Sequence, residues 1–428
     1  MRYGRAAARP FYIMQRRIWL IVFFFSGLSI ALCIGLPYLA WQYTQLSTVS
    51  QTVQLHVTQG TALFYRANGN LPESVAGELT NIDTNSNIVI QPDSQAVLDF
   101  LEPSPTGRVM SSFQLYSNTI TTINRHTTPR FAWSEHPAQQ IVTLTSGRIR
   151  VNLLPPAEGS SPLTVQINTP HAQILMAQAG SVSIDATEHE TDVIVKDGSA
   201  RVVAQDEELL LTVNQRTSVM SGSKPIGILA NQRNILRNSD FKNPLANGWS
   251  IFQNRDDRDQ PAGVITQDTQ NGLAATHFAR YGARWARLGM VQTVDRDIRD
   301  VKQIQLHLLV WLEYQDLTVC GTRGSECPLM VAIEYTDAFG SPQQWVQGFY
   351  YRTDPLGKSP TRCVTCANNS AEHYLVSPET WNSYDSPNLL DLLASNGQRP
   401  TVLNRIQVYA EGHSFESYIA ELELLVEE

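Results

Sequence analysis

An apolar run of 24 residues without a charged side chain, residues 18–41, sets the first limit on what this chain can fold into. It includes Trp19-Leu20-Ile21-Val22-Phe23-Phe24-Phe25 and is apolar on every face, so no soluble arrangement with one wet side suits it. At about 1.5 Å per residue the run crosses a hydrocarbon core ~30 Å thick with some tilt. Pro37 stands near its far end, where a kink costs least, and Tyr38, Trp41 and Tyr43 suit the interfacial aromatic belt. Arg2, Arg5, Arg9, Arg16 and Arg17 precede the run with no acidic residue among them. The positive-inside rule therefore predicts a cytoplasmic basic tail over 1–17, a transmembrane helix over 18–41 and the bulk of the chain extracytoplasmic. The other reading is a cleaved signal peptide, whose apolar region is ordinarily ~7–15 residues and ends at a small-x-small site. This run is longer and no clean site follows, so a retained signal anchor in the cell membrane is expected.

Beyond the anchor, charge narrows the partners. Residues 18–428 carry 27 basic against 40 acidic side chains. An acidic exterior lacks the basic face that neutralises phosphates, so no nucleic-acid partner is expected. A chain of 428 residues, 42% of them hydrophobic, has material for two or three domains.

The polar, β-branched residues 42–52 read as a short stalk. From 53 to 220, short alternating runs such as Val53-Gln54-Leu55-His56-Val57 and Ile149-Arg150-Val151-Asn152-Leu153 are broken by turn residues, which predicts an all-β domain. A Gly/Ser/Pro-rich joint, residues 221–233, precedes a second β-rich block over 234–428. Its clearest strands are read over 304–314, 329–335, 345–351, 405–410 and 418–426.

The first block resembles the FecR domain family. Leu144-Thr145-Ser146-Gly147-Arg148-Ile149-Arg150-Val151 looks like that family's strand, Gly turn and strand. Thr169-Pro170-His171-Ala172 resembles its TP-x-A segment, and Val195-Lys196-Asp197-Gly198-Ser199-Ala200-Arg201-Val202 its closing hairpin. The glycines fall where a tight turn with positive φ is needed. An unrelated β-sandwich is the other reading. In the family, some members signal to a sigma factor through a cytoplasmic N-terminal domain, for which about 17 residues are too few here.

The second block resembles galactose-binding or carbohydrate-binding jelly rolls. Asn234-Ile235-Leu236-Arg237-Asn238-Ser239-Asp240-Phe241 with Asn247-Gly248-Trp249 is similar to their opening signature, and residues 406–424 to their closing strands. The expected fold is thus an all-β ectodomain, a FecR-like β domain plus a β-sandwich jelly roll, behind one transmembrane helix. The resemblance also implies a structural calcium, with Asp240 and Glu421 as the matching carboxylates; no other cofactor is expected.

Cys320, Cys327, Cys363 and Cys366 lie in this block as C-x6-C and C-x2-C. Outside the membrane they suggest disulfides, of any of three connectivities; zinc is the alternative. Cys33, in the apolar run, reads as an inert filler. Trp249 and Trp311 read as core. Trp345, Tyr350, Tyr351, Trp381 and Tyr384 lie near turns, where a ring can stack on a sugar or simply pack under a loop. Arg280, Tyr281, Arg284, Trp285 and Arg287 form a basic-aromatic cluster that either faces a ligand carboxylate or makes a solvated rim. The ligand-binding candidates are accordingly Trp285, Arg284, Trp345, Tyr350, Tyr351 and Trp381.

No nucleophile elbow, metalloprotease helix or phosphate loop occurs. The sequence therefore predicts a single-pass binding protein rather than an enzyme, recognising an envelope glycan or a protein. A FecR-type transmembrane regulator of the anti-sigma kind is the second reading.

Overall fold

In strands the alternation of side chains decides what is buried, and nearly every run singled out above follows that rule. The computed structural model describes residues 10–67, 69, 71–103, 107–131, 133–157, 161–366 and 369–428, with side chains from residue 18 onward. Residues 1–9 of the basic tail lie outside the described residues. The rest is almost entirely β-structure, with two helices among the described residues: Pro10–Leu46 and the short Leu389–Ser395. The all-β architecture behind a single N-terminal apolar helix is the one expected. The chain divides into two compact units, residues 1–229 and 230–428.

The N-terminal helix runs five residues past the expected end of the span. From Ile18 its large apolar side chains, Trp19, Phe23, Phe24 and Leu36 among them, are exposed, and no protein surface covers them. That excludes the core helix of a soluble domain and leaves a helix long and apolar enough to cross a membrane.

Residues 42–52 form no stalk. They complete the helix, form the strand Thr48–Ser50 and enter the strand Thr52–Gln59. The reason lies in long-range bonds that a sequence window cannot see. The Ser134 hydroxyl donates to the Gln45 carbonyl at 2.7 Å, and the Glu135 N–H to the Gln45 side chain at 3.0 Å. Tyr43 meets the Phe131 ring edge-on at 6.1 Å.

The first unit is organised by one long strand, Ala138–Leu153, which belongs to two sheets. Its first half pairs with Ile120–Pro129 and, in parallel, with Leu163–Asn168. Its second half pairs with Val109–Leu115 and Gly180–Ala186. The inner faces of both sheets meet in one core that includes Leu98, Phe100, Phe113, Val142, Ile149 and Val202.

The strand changes sheet at Gly147, where φ is +91° and a Cβ would lie 2.5 Å from Thr119 Cα. Positive φ was expected there, but the glycine bends one continuous strand instead of joining two. The Thr119 side chain holds the corner, accepting from the Arg148 N–H at 3.1 Å and donating to the Arg148 carbonyl at 2.9 Å. The hairpin expected across Gly198 is also a corner. Glu190–Asp197 pairs with Gly180–Ala186 and Arg216–Met220, whereas Ser199–Ala204 pairs with Gln173–Met176 and Glu207–Thr212. Both glycines carry the chain between sheets, and local alternation cannot tell that from a hairpin.

The second unit is a β-sandwich. One sheet runs in the order Val264–Gln270, Leu273–Arg280, Phe415–Glu427, Gln303–Gln315, Asn382–Asp385, with Arg233–Asn234 also on Phe415–Glu427. The other runs Ser250–Arg255, Ala286–Asp297, Pro400–Gly412, Leu329–Asp337, Pro342–Tyr350, Asn369–Ser370, with Tyr374–Leu375 also on Pro342–Tyr350. The core between them holds Trp249, Phe278, Ile304, Leu306, Leu308, Val310, Leu312, Trp345 and Ile419. The joint expected over 221–233 is partly built into the units: Leu229 bridges Arg216, and Arg233 pairs with Val426.

Two predictions follow from the first unit. Gly147→Ala lowers its stability by about 3 kcal/mol, through backbone strain plus overlap with Thr119. Gly222→Ala, with positive φ but open space around it, costs about 1 kcal/mol; paired thermal melts measure the difference. His126 is buried, with Nδ1 3.0 Å from the Gln51 carbonyl oxygen, and burial holds its pKa below the ordinary value of ~6.5, more than that bond and Asp83 raise it. Near that value the unfolded imidazole takes up a proton that the folded one refuses, so stability is present above it and declines as pH falls. The melting temperature is expected to drop between about pH 7 and 5, and His126→Gln to flatten the slope.

Candidate ligand-binding face

The strand Gln303–Gln315 contains an unbroken apolar run, Leu308-Leu309-Val310-Trp311-Leu312, yet only alternate members enter the core. Leu308, Val310 and Leu312 point in. Leu309 and Trp311 therefore emerge on the outer face, joining a small apolar cluster with Ala275, Tyr418, Ala420, Leu273 and Trp381. Trp311 is thus not a core residue, contrary to the sequence expectation, while Trp249 is. Apolar surface gathered on the wet face of a sheet, outside the core, is the kind of patch that marks a binding surface.

Register turns this patch into a row. His277 pairs with Tyr418 and Tyr418 with Trp311, while Trp381 enters the neighbouring strand beside Asn382, the partner of Val310. Adjacent strands lie ~4.8 Å apart, so the row crosses about 14 Å of sheet. The His277 and Tyr418 rings stack at 4.2 Å, 9° from parallel, and Trp311 and Trp381 meet edge-to-face at 5.8 Å. Beside the row, Tyr281 and Tyr314 lie 5.6 Å apart, and both are exposed.

Hydrogen bonds to neighbours hold these rings. The Trp311 indole donates to Glu313 at 2.7 Å and the Trp381 indole to the Gln270 carbonyl at 3.2 Å. Glu416 receives the Tyr281 hydroxyl on one oxygen, with His277 Nε2 3.1 Å from the other. That bond, then burial, pushes the Tyr281 phenol up to about 12, and burial raises Tyr418 as well. Both phenols are neutral at physiological pH. Tyr418 is buried and stacked on His277, so the face offers the half-buried Trp311 and Trp381 rings, with carboxylate, imidazole and phenol groups beside them, a chemistry suited to a ligand that is apolar on its flat faces and hydroxylated around its rim.

The six candidates from sequence fall in separate places. Trp381 lies in the row. Trp345 is 1% exposed in the opposite sheet, where with Gln347, Asn369, Tyr384, Asn396 and Gln398 it lines a polar cleft of about 570 Å³. Tyr350 is buried beside Cys320 and Cys327. Tyr351 accepts the Gln315 N–H at 3.1 Å. Trp285 and Arg287 both donate to the buried Glu411, at 2.8 and 2.6 Å. Arg284 is exposed, 3.7 Å from Asp257. Arg280 is buried, donating to the carbonyls of Pro261, Gly412 and His413. The basic-aromatic cluster thus directs most of its donors inward.

Sequence reading missed Trp311 and also His277, Tyr418, Tyr314 and Glu416. The available signal was parity: counting by twos from Ile304 places Trp311 on the face opposite Leu312.

Asp240 pairs with Lys242 at 3.2 Å, and Glu421 is exposed at a positive-φ position, with the neighbouring Leu422 N–H donating to the Ser239 carbonyl at 3.1 Å. Among the described residues, the only grouping of three or more His, Cys, Asp or Glu ligands at metal-binding spacing is Cys320, Cys327 and His373. The cysteines form two local disulfides, Cys320–Cys327 and Cys363–Cys366, and Cys33 is free on the N-terminal helix.

No family model matches the chain, and no curated protein matches it. Among solved structures it is similar to a putative anti-sigma factor from Parabacteroides distasonis ATCC 8503, with 19% identity, a TM-score of 0.24, and 33% of this chain covered. The match spans 57% of that protein's length. It is also similar to the carbohydrate-binding module TmCBM61, solved in complex with beta-1,4-galactotriose, at 14% identity and a TM-score of 0.26 over 46% of this chain and 99% of that one. A family 11 carbohydrate-binding module of a Clostridium thermocellum cellulosomal cellulase matches at 12% identity and a TM-score of 0.25, over 45% of this chain and 93% of that one.

Proposed function

We propose that the protein is a single-pass, membrane-anchored, extracytoplasmic binding protein that holds a glycan along the aromatic row of its second unit. The observation that carries this reading is the placement of His277, Tyr418, Trp311 and Trp381 in register across the outer face of a sheet whose inner face already has a full core. Aromatic rings contribute nothing to that core from outside it. The half-buried faces of Trp311 and Trp381 match the apolar faces of sugar rings, and Glu416, Glu313 and the phenols match hydroxyls. The role is binding, not catalysis. A glycan array with the full-length protein in detergent tests it. Trp311→Ala and Trp381→Ala are each expected to weaken the bound glycan about tenfold, close to 1.4 kcal/mol, with the melting temperature little changed. Retention of full affinity by the double variant sinks the proposal.

The anchor is retained on this reading. Tyr43 and Gln45 are bonded into the first β unit, so removal of the apolar segment just before them would unpick the start of that unit. Membranes washed with alkaline carbonate are expected to keep the intact chain, and protease added outside the cytoplasmic membrane to reach the β units. Recovery of a chain shortened by about 40 residues, the length of tail and span, argues for a cleaved leader.

A second reading, transmembrane regulation of the anti-sigma kind, has one observation in its favour: the helix joins the first unit without a stalk. Loss of a transcriptional response on deletion of residues 2–15, with insertion intact, would move it ahead.

A further inference from the structure

Among the described residues of the second unit, the His373 ring holds one of the buried nitrogens that have no hydrogen-bond partner. The His373 ring is 5% exposed, and its Nε2 lies 2.7 Å from the Gly324 carbonyl oxygen. Since a carbonyl only accepts, Nε2 carries the ring proton and donates it, leaving Nδ1 with an open lone pair. Nδ1 is fully buried and finds no hydrogen-bond partner. An acceptor in that position costs free energy unless something occupies it.

What it faces is sulfur. Cys320 and Cys327, both fully buried, offer Sγ atoms that lie with the His373 ring nitrogen within 4.8 Å of one another. The strand Pro342–Tyr350 adapts to this group. A Cβ at Gly348 would lie 2.4 Å from Cys327 Sγ and 2.5 Å from His373 Nδ1, so only glycine lets the strand pass beneath the pair. The loop carrying Cys363 and Cys366 closes over the site, with the Val364 N–H on the Arg323 carbonyl and the His373 N–H on the Thr361 carbonyl. Two sulfurs and an imidazole oriented by a carbonyl on its far nitrogen form a ligand set for a soft cation.

We propose that reduction of the Cys320–Cys327 disulfide converts this loop into a buried S₂N site for a soft d¹⁰ cation, Cu(I) or Zn²⁺, with His373 Nδ1 as its nitrogen ligand. Disulfide and metal are then alternative clamps on one loop. The reductant is a dithiol. One of its thiolates attacks a sulfur of the pair and forms a mixed disulfide; its second thiol resolves this and leaves as the cyclic disulfide. The two electrons and two protons go to Cys320 and Cys327. Metal binding then expels the two thiol protons to solvent, and Nδ1 donates its lone pair.

The test uses the full-length protein in detergent with Cys363→Ser and Cys366→Ser, so that one cysteine pair remains in this loop region. After reduction with a phosphine, Zn²⁺ and Cu(I) are titrated separately against chromophoric chelators. One equivalent of at least one metal is expected, with two sulfurs and one nitrogen in its X-ray absorption spectrum. Diamide oxidation is expected to abolish uptake. Adding His373→Gln is expected to weaken binding at least tenfold, with the circular dichroism of the fold retained. Stoichiometric uptake of Cu(I) but not Zn²⁺ identifies a three-coordinate site, and uptake of Zn²⁺ one that gains a fourth ligand. The proposal is overturned by absence of uptake of either metal, by uptake insensitive to Cys320→Ser/Cys327→Ser or to His373→Gln, or by unfolding of the reduced chain with metal present.

Discussion

A β-strand cannot place two consecutive side chains on one face, and the second unit depends on that constraint. In Gln303–Gln315 the same five-residue apolar run supplies the core and the outer face together, Leu308, Val310 and Leu312 to one and Leu309 and Trp311 to the other. Shifting the register by one residue would exchange the two sets. Pairing with Phe415–Glu427 resists such a shift, because Tyr418 and Ile419 face the same choice in the partner strand. Core and candidate binding face are two readings of one alternation.

The same rule explains what could be read from the amino-acid order. Strands around 304–314, 329–335, 345–351, 405–410 and 418–426 were visible because their inward positions, Gln347 apart, are apolar, and the structure extends each of them except 345–351, which starts earlier, at Pro342, and ends at Tyr350. Trp311 was hidden because its neighbours on both sides are apolar, which blurs parity. The row itself was illegible: His277, Tyr418 and Trp311 are far apart in sequence and meet only through pairing. The corners at Gly147 and Gly198 had the expected glycine, but whether a glycine closes a hairpin or changes sheet depends on partners outside the window. His373 gave no signal as one of nine scattered histidines; its meaning comes from Cys320 and Cys327, brought beside it by the fold.

The basic-aromatic segment from Arg280 to Arg287 shows how charge can mislead. In sequence it looks like an anion receptor. In the structure Glu411, buried beneath Trp285 and Arg287, takes two of its donors, and carbonyls take Arg280. Burial raises the Glu411 pKa although Arg287 and the two hydrogen bonds oppose it. A cluster of cations is a ligand site only when its partners are missing from the chain itself.

The absence of slack between the N-terminal helix and the first unit has a mechanical consequence. A flexible tether would let the β-structure swivel freely about the helix. Here Tyr43 and Gln45, on the last turns of the helix, are fastened to Phe131, Ser134 and Glu135. Those contacts couple the two: a twist applied to the end of the helix is passed to the segment 131–135 of the first unit, and a load on that segment is felt by the helix.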